Sequence, residues 1–450
     1  MADHTPYPDF DSQSHKLWQR ACESLPGGST RHLNFYSPYP VFAAKAHGCR
    51  ITDVDGNERI DFVNNYTVQI HGHCHPKIVG AVKAQVDKAI CFTMPTELEI
   101  ELAEILCSRT ESIEKVRFAN SGTEAVMNAI KAARAYTGRP KIAKCEGVYH
   151  GSYDYAEVSL DPDPQNWGSN DPVPIGFAKG EPEGMLRDVV VIPFNDVENS
   201  QRILEAHAGS LAGVVFDIVP SRCGGVPATK GYMDMLREVT RKIGALLICD
   251  EVVTYRLHEG GAQMLYGLDP DITTLGKIIG GGLPIGAICG RTEFMQVFDC
   301  SKGKAALPHS GTFTANPLTM AAGITAMRML TQGVIDELDA KTQRLRNQIN
   351  EAFEIAGMPG QMMGEGSLMK PYMSDEPLGS YRNAFMAESD AAHAREERMF
   401  FHLLNNGVFY SIHLSCASTP MGEAEFDQTT EAWLTGLRAM KDEGLQEAAS

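Results

Sequence analysis

Gly244-Ala-Leu-Leu-Ile-Cys-Asp-Glu-Val-Val253 is the stretch on which the fold turns. Ala245 to Cys249 is a short apolar run, opened by a glycine and closed by two acids. A strand buried on both faces of a parallel sheet reads this way. Open α/β sheets bind ligands at the carboxyl edge of their strands, which puts Asp250 and Glu251 at that edge. A second mostly apolar stretch, Ile272 to Leu275, leads into Lys277 within Thr273-Thr-Leu-Gly-Lys277-Ile-Ile-Gly-Gly-Gly282. Its three closing glycines let other atoms approach the backbone. A buried Asp needs a cationic partner. A lysine in a dry pocket has its pKa pushed down and becomes a nucleophilic amine that can condense with a carbonyl. A surface lysine and a helix-capping aspartate are the ordinary alternatives.

Working outward, strands and helices alternate from about 115 to about 290, which implies a largely parallel sheet with right-handed crossovers. Val116-Arg-Phe-Ala-Asn-Ser-Gly-Thr-Glu-Ala125 and the Ala-rich run to Gly138 predict a strand, a Ser-Gly-Thr turn and a helix. Ser121-x-x-Glu124 fits a capping box, and Gly122 permits close approach, so the helix start is a candidate anion site or simply a cap. Lys141–Cys145 predicts the next strand, followed by Glu146-Gly-Val-Tyr-His-Gly151. Tyr149 there could stack on a flat heteroaromatic ring or pack as part of a turn. Residues 152–187 are rich in Pro, Gly and Asp and predict a long irregular excursion. Further strands fall at Val189–Pro193 and Gly213–Val219, the second carrying Asp217, and Met233–Ile243 is a helix.

Before this core, a polar arm leads to a helix around Lys16–Ser24 and then a loop, Leu25-Pro-Gly-Gly-Ser-Thr-Arg31. Arg31 is a planar fork suited to a carboxylate, or an ordinary solvated loop residue. A β-meander is expected from Phe42 to Phe62 around the hairpin signal Asp55-Gly56-Asn57. His71-Gly-His-Cys-His-Pro76 invites a zinc reading, but Gly72 and Pro76 favour a loop and no second ligand cluster follows, so no metal is expected. After Gly311-Thr-Phe-Thr-Ala-Asn-Pro317 come a helix to about Leu330, a helix from Asp336, a strand over Gly364–Met373, a helix over Ala391–Asn405, a short strand and a terminal helix: a second, smaller α+β lobe.

The 450 residues, 43% hydrophobic and 22% charged, suit a globular protein of two lobes. A net charge of −17 argues against nucleic acid and anionic membrane surfaces as partners. The eleven cysteines are scattered without a C-x-x-C pair, and neither a secretory leader nor a membrane-length apolar run is evident. Reduced thiols in a cytoplasmic protein are therefore expected.

One cofactor uses a nucleophilic lysine and a buried aspartate together: pyridoxal phosphate, whose aldehyde takes the lysine and whose protonated ring nitrogen takes the acid. The ordered set Asn-Ser-Gly-Thr-Glu-Ala, Tyr-His-Gly, Asp-Glu-Val, Lys-Ile-Ile-Gly-Gly-Gly and Gly-Thr-Phe-Thr-Ala-Asn-Pro resembles the class III pyridoxal-phosphate aminotransferases. It is most similar to the branch holding glutamate-1-semialdehyde aminomutase and β-phenylalanine aminotransferase, over nearly the whole chain. The resemblance implies the fold-type-I, aspartate-aminotransferase architecture: an α/β large domain on a mostly parallel seven-stranded sheet, with a smaller α+β domain. The implied division is 1–75 for the arm and part of the small domain, 76–318 for the cofactor-binding domain, and 319–450 for the C-terminal small domain.

Position by position, the resemblance makes Lys277 the Schiff-base lysine and Asp250 the partner of the ring nitrogen. Val252 would pack on one ring face and Tyr149 on the other. Ser121, Gly122 and Thr123 would hold the phosphate, and Thr312 would reach the phosphate of the neighbouring subunit in a homodimer. Arg31 would grip the substrate carboxylate. Tyr66, in Asn65-Tyr-Thr, resembles the β-amino-acid aminotransferases, where the aminomutases tend to carry tryptophan. An amino-acid donor, such as a β-amino acid, and a keto-acid acceptor are the implied substrates, with an aminomutase-like isomerase as the alternative. Two departures stand out. Asp217-Ile218 occupies the place of the usual Glu-Pro, and the segment 407–415 is short, offering Ser411 and His413 but no arginine. A dicarboxylate acceptor is therefore not expected to bind as it does in relatives.

Overall fold

Seven short strands pair side by side in the computed structural model, which describes residues 6–446. Residues 1–5 of the expected arm and 447–450 of the C-terminal region lie outside those described. In chain order the strands are β1 (Lys115–Ala119), β2 (Lys141–Cys145), β3 (Val189–Ile192), β4 (Leu211–Phe216), β5 (Leu246–Asp250), β6 (Ile272–Gly276) and β7 (Gly286–Gly290). They stand in the sheet as β1-β7-β6-β5-β4-β2-β3. Every residue of β3 to β7 is buried, as continuous apolar runs require when both faces are covered.

Of the seven, β7 runs antiparallel to both neighbours, with Gly286 opposite Ala119 and Gly276. The physical reason lies in the connection. A parallel return needs a crossover of about a dozen residues or more, and Lys277 to Ile285 supplies only a short 3₁₀ turn, Lys277–Gly280. The strand after the lysine therefore folds straight back, and its first residue lies at the same sheet edge as Lys277.

Helix α1 (Gly122–Thr137) follows β1 and stops at Gly138, whose φ of 68° gives the left-handed residue a helix end favours. The expected capping box forms only in half. Ser121 Oγ accepts the Glu124 N–H at 3.1 Å, but the Glu124 carboxylate turns to Asn120, accepting its backbone N–H at 2.9 Å and its side-chain amide at 3.2 Å. Asn120 supplies two donors there, which outcompete the single N–H of Ser121.

The meander expected near the N-terminus is present as Ala43–His47, Arg50–Asp53 and Glu58–Asp61, and Val408–Phe409 joins it in parallel with Val408 opposite Ile60. The strand expected over Gly364–Met373 forms as Leu368–Tyr372, and it pairs antiparallel with an additional strand before it, Gln361–Met363, and with Ser415–Cys416 as the third. Gly366, at φ 53°, makes the turn. The terminal helix Glu423–Asp442 packs on Gln332–Ala356 through Trp433 and Phe353, whose ring centroids are 5.8 Å apart in a shared apolar cluster. Burying each such ring contributes about 2–3 kcal/mol.

Candidate active site

The parallel strands release their functional residues at one edge: Ser121 beyond β1, His150 beyond β2, Asp217 beyond β4, Asp250 closing β5 and Lys277 beyond β6. Side chains alternate across a strand, and this separates the two acids after β5. Glu251 points away from the edge and accepts the N–H groups of Ala262 at 2.6 Å and Gln263 at 2.9 Å, capping a short helix. Burial lifts its carboxyl to about 7. Asp250 faces the edge.

Three donors fix the Asp250 carboxylate. Its Oδ2 lies 2.7 Å from His150 Nδ1, and its Oδ1 accepts from Thr274 Oγ1 at 3.0 Å and from the Val252 N–H at 3.1 Å. Burial pushes the His150 ring pKa down, opposed by its hydrogen bond to Asp250. We place the ring proton on Nδ1 because its neighbour is an acceptor-only carboxylate. His150 Nε2 is buried and has no hydrogen-bond partner. His150 and Thr274 complete the Asp250 environment, yet neither stood out in the sequence as a site residue. The available signals were a histidine between glycines beyond a strand, and a threonine inside an otherwise apolar one.

Lys277 carries a left-handed backbone, φ 48°, a conformation that costs a non-glycine residue about 1–2 kcal/mol. Burial lowers its amine pKa, while the nearby charges of Asp250 and Asp217 raise it in part. Asp217 accepts the Val219 N–H at 3.0 Å. Burial first, and then the charge of Asp250, pushes its carboxyl up to about 8. The residue standing at the Glu-Pro position is thus a shielded acid beside the site.

The start of α1 closes on the same edge. A Cβ on Gly122 would stand 2.8 Å from Val252 Cγ1, so only glycine lets Val252 lie against the helix start. Gly286 is held to glycine by the Ser121 carbonyl oxygen, into which a Cβ would run. Thr123 Oγ1 accepts the Ser152 N–H at 3.1 Å, tying the turn after Tyr149 to the helix start. Tyr149 itself is 52% exposed. The structure thus gathers Ser121, Gly122, Thr123, Val252, Asp250 and Lys277. Thr312 is exposed in a loop beside Phe313, and a Cβ on the preceding Gly311 would lie 3.4 Å from the Asn120 amide.

Arg31 and Tyr66 line a cavity of about 900 Å³ between the arm, the meander and helix Asp390–Asn405. Phe35, Phe400, Phe401 and Phe409 give it apolar walls, and Ser411 and His413 of the short 407–415 segment border it. Gln69 also lines it, and that side-chain amide lies 2.9 Å from where a Cβ on Gly282 would be, in the glycine run after Lys277. The three histidines take different hydrogen-bond partners, although the rings of His71 and His75 stand edge to face with centroids 6.0 Å apart. His71 bonds Ala326 O, His73 pairs with Asp61 at 2.7 Å, and His75 accepts the Lys77 N–H at the start of Pro76–Val86. Among the described residues no group of His, Cys, Asp or Glu is arranged to hold a metal ion.

A family model described as aminotransferase class-III matches residues 34–408. The chain belongs to the class-III aminotransferases. This class-III aminotransferase is similar to an omega-transaminase from Sphaerobacter thermophilus, at 46% identity and a TM-score of 0.93, covering 97% of this chain and 99% of that one. It is also similar to a β-phenylalanine aminotransferase from Variovorax paradoxus, at 32% identity, a TM-score of 0.83, and 95% and 94% coverage. A glutamate-1-semialdehyde 2,1-aminomutase from Citrifermentans bemidjiense is 38% identical over 404 residues, 89% of this chain and 92% of that one. The enzyme is pyridoxal-phosphate dependent and has the fold-type-I architecture. Its residues fit the cofactor on their own chemistry. An amine held below its usual pKa, a carboxylate locked by three donors, and a helix start where a Cβ would collide all converge at one edge.

Proposed function

We propose that this class-III aminotransferase moves the amino group of a carboxylate-bearing amino acid, a β-amino acid first among them, to a keto acid. The observation that carries the reading is the meeting of Lys277 and the triply held Asp250 at the ends of adjacent parallel strands, with Arg31 on the wall of an apolar cavity. In this reading Lys277 and Asp250 are the catalytic pair, and Ser121, Gly122 and Thr123 hold the cofactor's phosphate. Val252 and Tyr149 flank its ring.

When bound, pyridoxal phosphate supplies an aldehyde that takes up amines and a cationic ring that draws electrons from the neighbouring carbon. The chain's own residues do the rest. Asp250, kept in place by His150, Thr274 and the Val252 N–H, holds the proton on the ring nitrogen. Lys277 Nζ, favoured as the neutral amine by burial, takes a proton from the substrate carbon and returns it. Arg31 orients the substrate carboxylate, Tyr66 borders the same space, and the phenylalanine walls accept an apolar substituent.

A homodimer is part of the proposal, with Thr312 reaching the partner's phosphate site. Beside it Phe313 is 65% exposed, and Ile90, whose carbonyl accepts from the Asn316 amide, is 62% exposed, as an apolar surface awaiting a second copy would be. We also propose a cytoplasmic enzyme, in keeping with eleven free cysteines, and the division at 1–75, 76–318 and 319–450. No helix among the described residues is long and apolar enough to cross a membrane. An aminomutase reading is favoured by the aminomutase relatives alone.

Purified yellow protein mixed with α-, β- and ω-amino acids separates the two. Loss of colour with β-amino acids and release of a keto product is the expected result. Isomerisation of glutamate 1-semialdehyde without an acceptor would establish the mutase instead.

A further inference from the structure

Four consecutive non-glycine residues, Asn64, Asn65, Tyr66 and Thr67, hold positive φ values of 49°, 52°, 56° and 73°. A whole turn of left-handed backbone persists only where its surroundings over-determine it. Here they do. Asp61 Oδ1 accepts the Asn64 N–H at 2.9 Å, Asn64 Nδ2 donates to Cys416 O at 2.8 Å, and the buried Arg256 donates to Thr67 O at 3.2 Å. The same guanidinium donates to Ser367 Oγ at 2.9 Å and Ala417 O at 2.6 Å, so the turn is pinned to the small-domain strands.

What this fixed turn presents are two side chains directed at the arm. Asn65 Oδ1 accepts a hydrogen bond from Arg31 Nη1, and the Tyr66 hydroxyl donates to Leu33 O at 2.7 Å. Among the described residues no carboxylate lies within ion-pair distance of Arg31. Its guanidinium is anchored by a neutral amide, so it keeps its full charge and its remaining N–H groups for a ligand. The amide at 65 meets both demands at once, because asparagine tolerates left-handed backbone and holds a cation without neutralising it.

We propose that Asn65, braced by the bond from Tyr66 to Leu33 close by on the arm, is the positioning residue that sets Arg31 for the substrate carboxylate. The left-handed turn thereby determines selectivity for carboxylate-bearing amines over plain ones. The proposal rests on the carboxylate role of Arg31 given above, and deepens it: a long flexible side chain fixed in advance loses less freedom when the carboxylate arrives.

The test compares two donors of one skeleton, β-phenylalanine and 1-phenylpropylamine, in which a methyl group replaces the carboxylate. Calorimetric binding of 3-phenylpropanoate to the holoenzyme reads the same site without turnover. Asn65→Gly removes the acceptor and leaves the left-handed backbone unstrained. It should raise KM for β-phenylalanine and weaken 3-phenylpropanoate binding by roughly tenfold, the effect of one hydrogen bond to a charged group, with kcat retained and the plain amine unaffected. Asn65→Asp keeps an acceptor for Arg31 but cancels its charge, and should weaken the carboxylate probes at least as much. If Arg31→Ala harms only the carboxylate probes while Asn65→Gly harms both donors alike, or neither, the positioning role is overturned. If Arg31→Ala fails to discriminate between the donors, the carboxylate reading itself falls, and the proposal with it.

Discussion

The sheet edge and the arm cavity hold their functional groups by different means. At the edge, Asp250 and Lys277 are placed by strand ends, and the partners of Asp250 come from the same sheet: Thr274 within β6, Val252 just past β5 and His150 beyond β2. At the cavity, Arg31 and Tyr66 come from irregular segments joined through a few side-chain hydrogen bonds, and Asp250 and Lys277 are not among the residues that line it. In the proposed reading the chemistry is thus built on the rigid element, while selectivity rests on a turn that needs bracing from elsewhere in the chain.

The largest effect separating the two regions is expected from Asp250→Asn. It should lower kcat on the order of 10³-fold for every donor, carboxylate-bearing or not, because the charge opposite the ring nitrogen is lost. Steady-state kinetics with both donors check this, and an effect confined to carboxylate donors would erase the division. Arg256→Met should act on the other side. It leaves three acceptors without their buried donor and should destabilise the fold by about 3 kcal/mol, read as a lowered Tm.

A smaller effect is expected of His150→Phe. Losing one hydrogen bond to the Asp250 carboxylate should reduce kcat by roughly 10–30-fold, with KM for β-phenylalanine little changed. A change in KM alone would move His150 out of the cofactor half.

The smallest concerns pH. The Asp217 carboxyl rises from 3.8 to about 8 on folding, so the folded, cofactor-free protein keeps a proton that the unfolded chain releases. That contribution to stability is fully present below 3.8 and is lost as pH rises through about 8. Asp217→Asn should therefore flatten the fall in Tm between about pH 5 and about pH 8.5. An unchanged slope would mean that Asp217 is already ionised at neutral pH.

The contrast also explains what could be read from the sequence. Asp250, Lys277 and the Ser121–Thr123 turn were legible because a buried strand fixes which residue emerges at its end, and apolar runs mark the strands. The half-formed capping box was not legible, since it depended on Asn120 competing for the carboxylate of Glu124. Nor was the added strand Gln361–Met363, which is only three residues long and is turned back onto Leu368–Tyr372 through Gly366. The left-handed turn leaves no periodic trace, and its link to Arg31 spans segments that sequence spacing does not relate. His150 was visible as a residue but not as a partner, because its contact with Asp250 lies 100 positions away.

The central claim is that Lys277 is the amine to which the cofactor is bonded. Reducing the yellow protein with borohydride and mapping its peptides by mass spectrometry tests this directly. A single pyridoxyl-phosphate group on Lys277, and none in Lys277→Ala, is the predicted result. The same group on another lysine of the wild-type protein would contradict it.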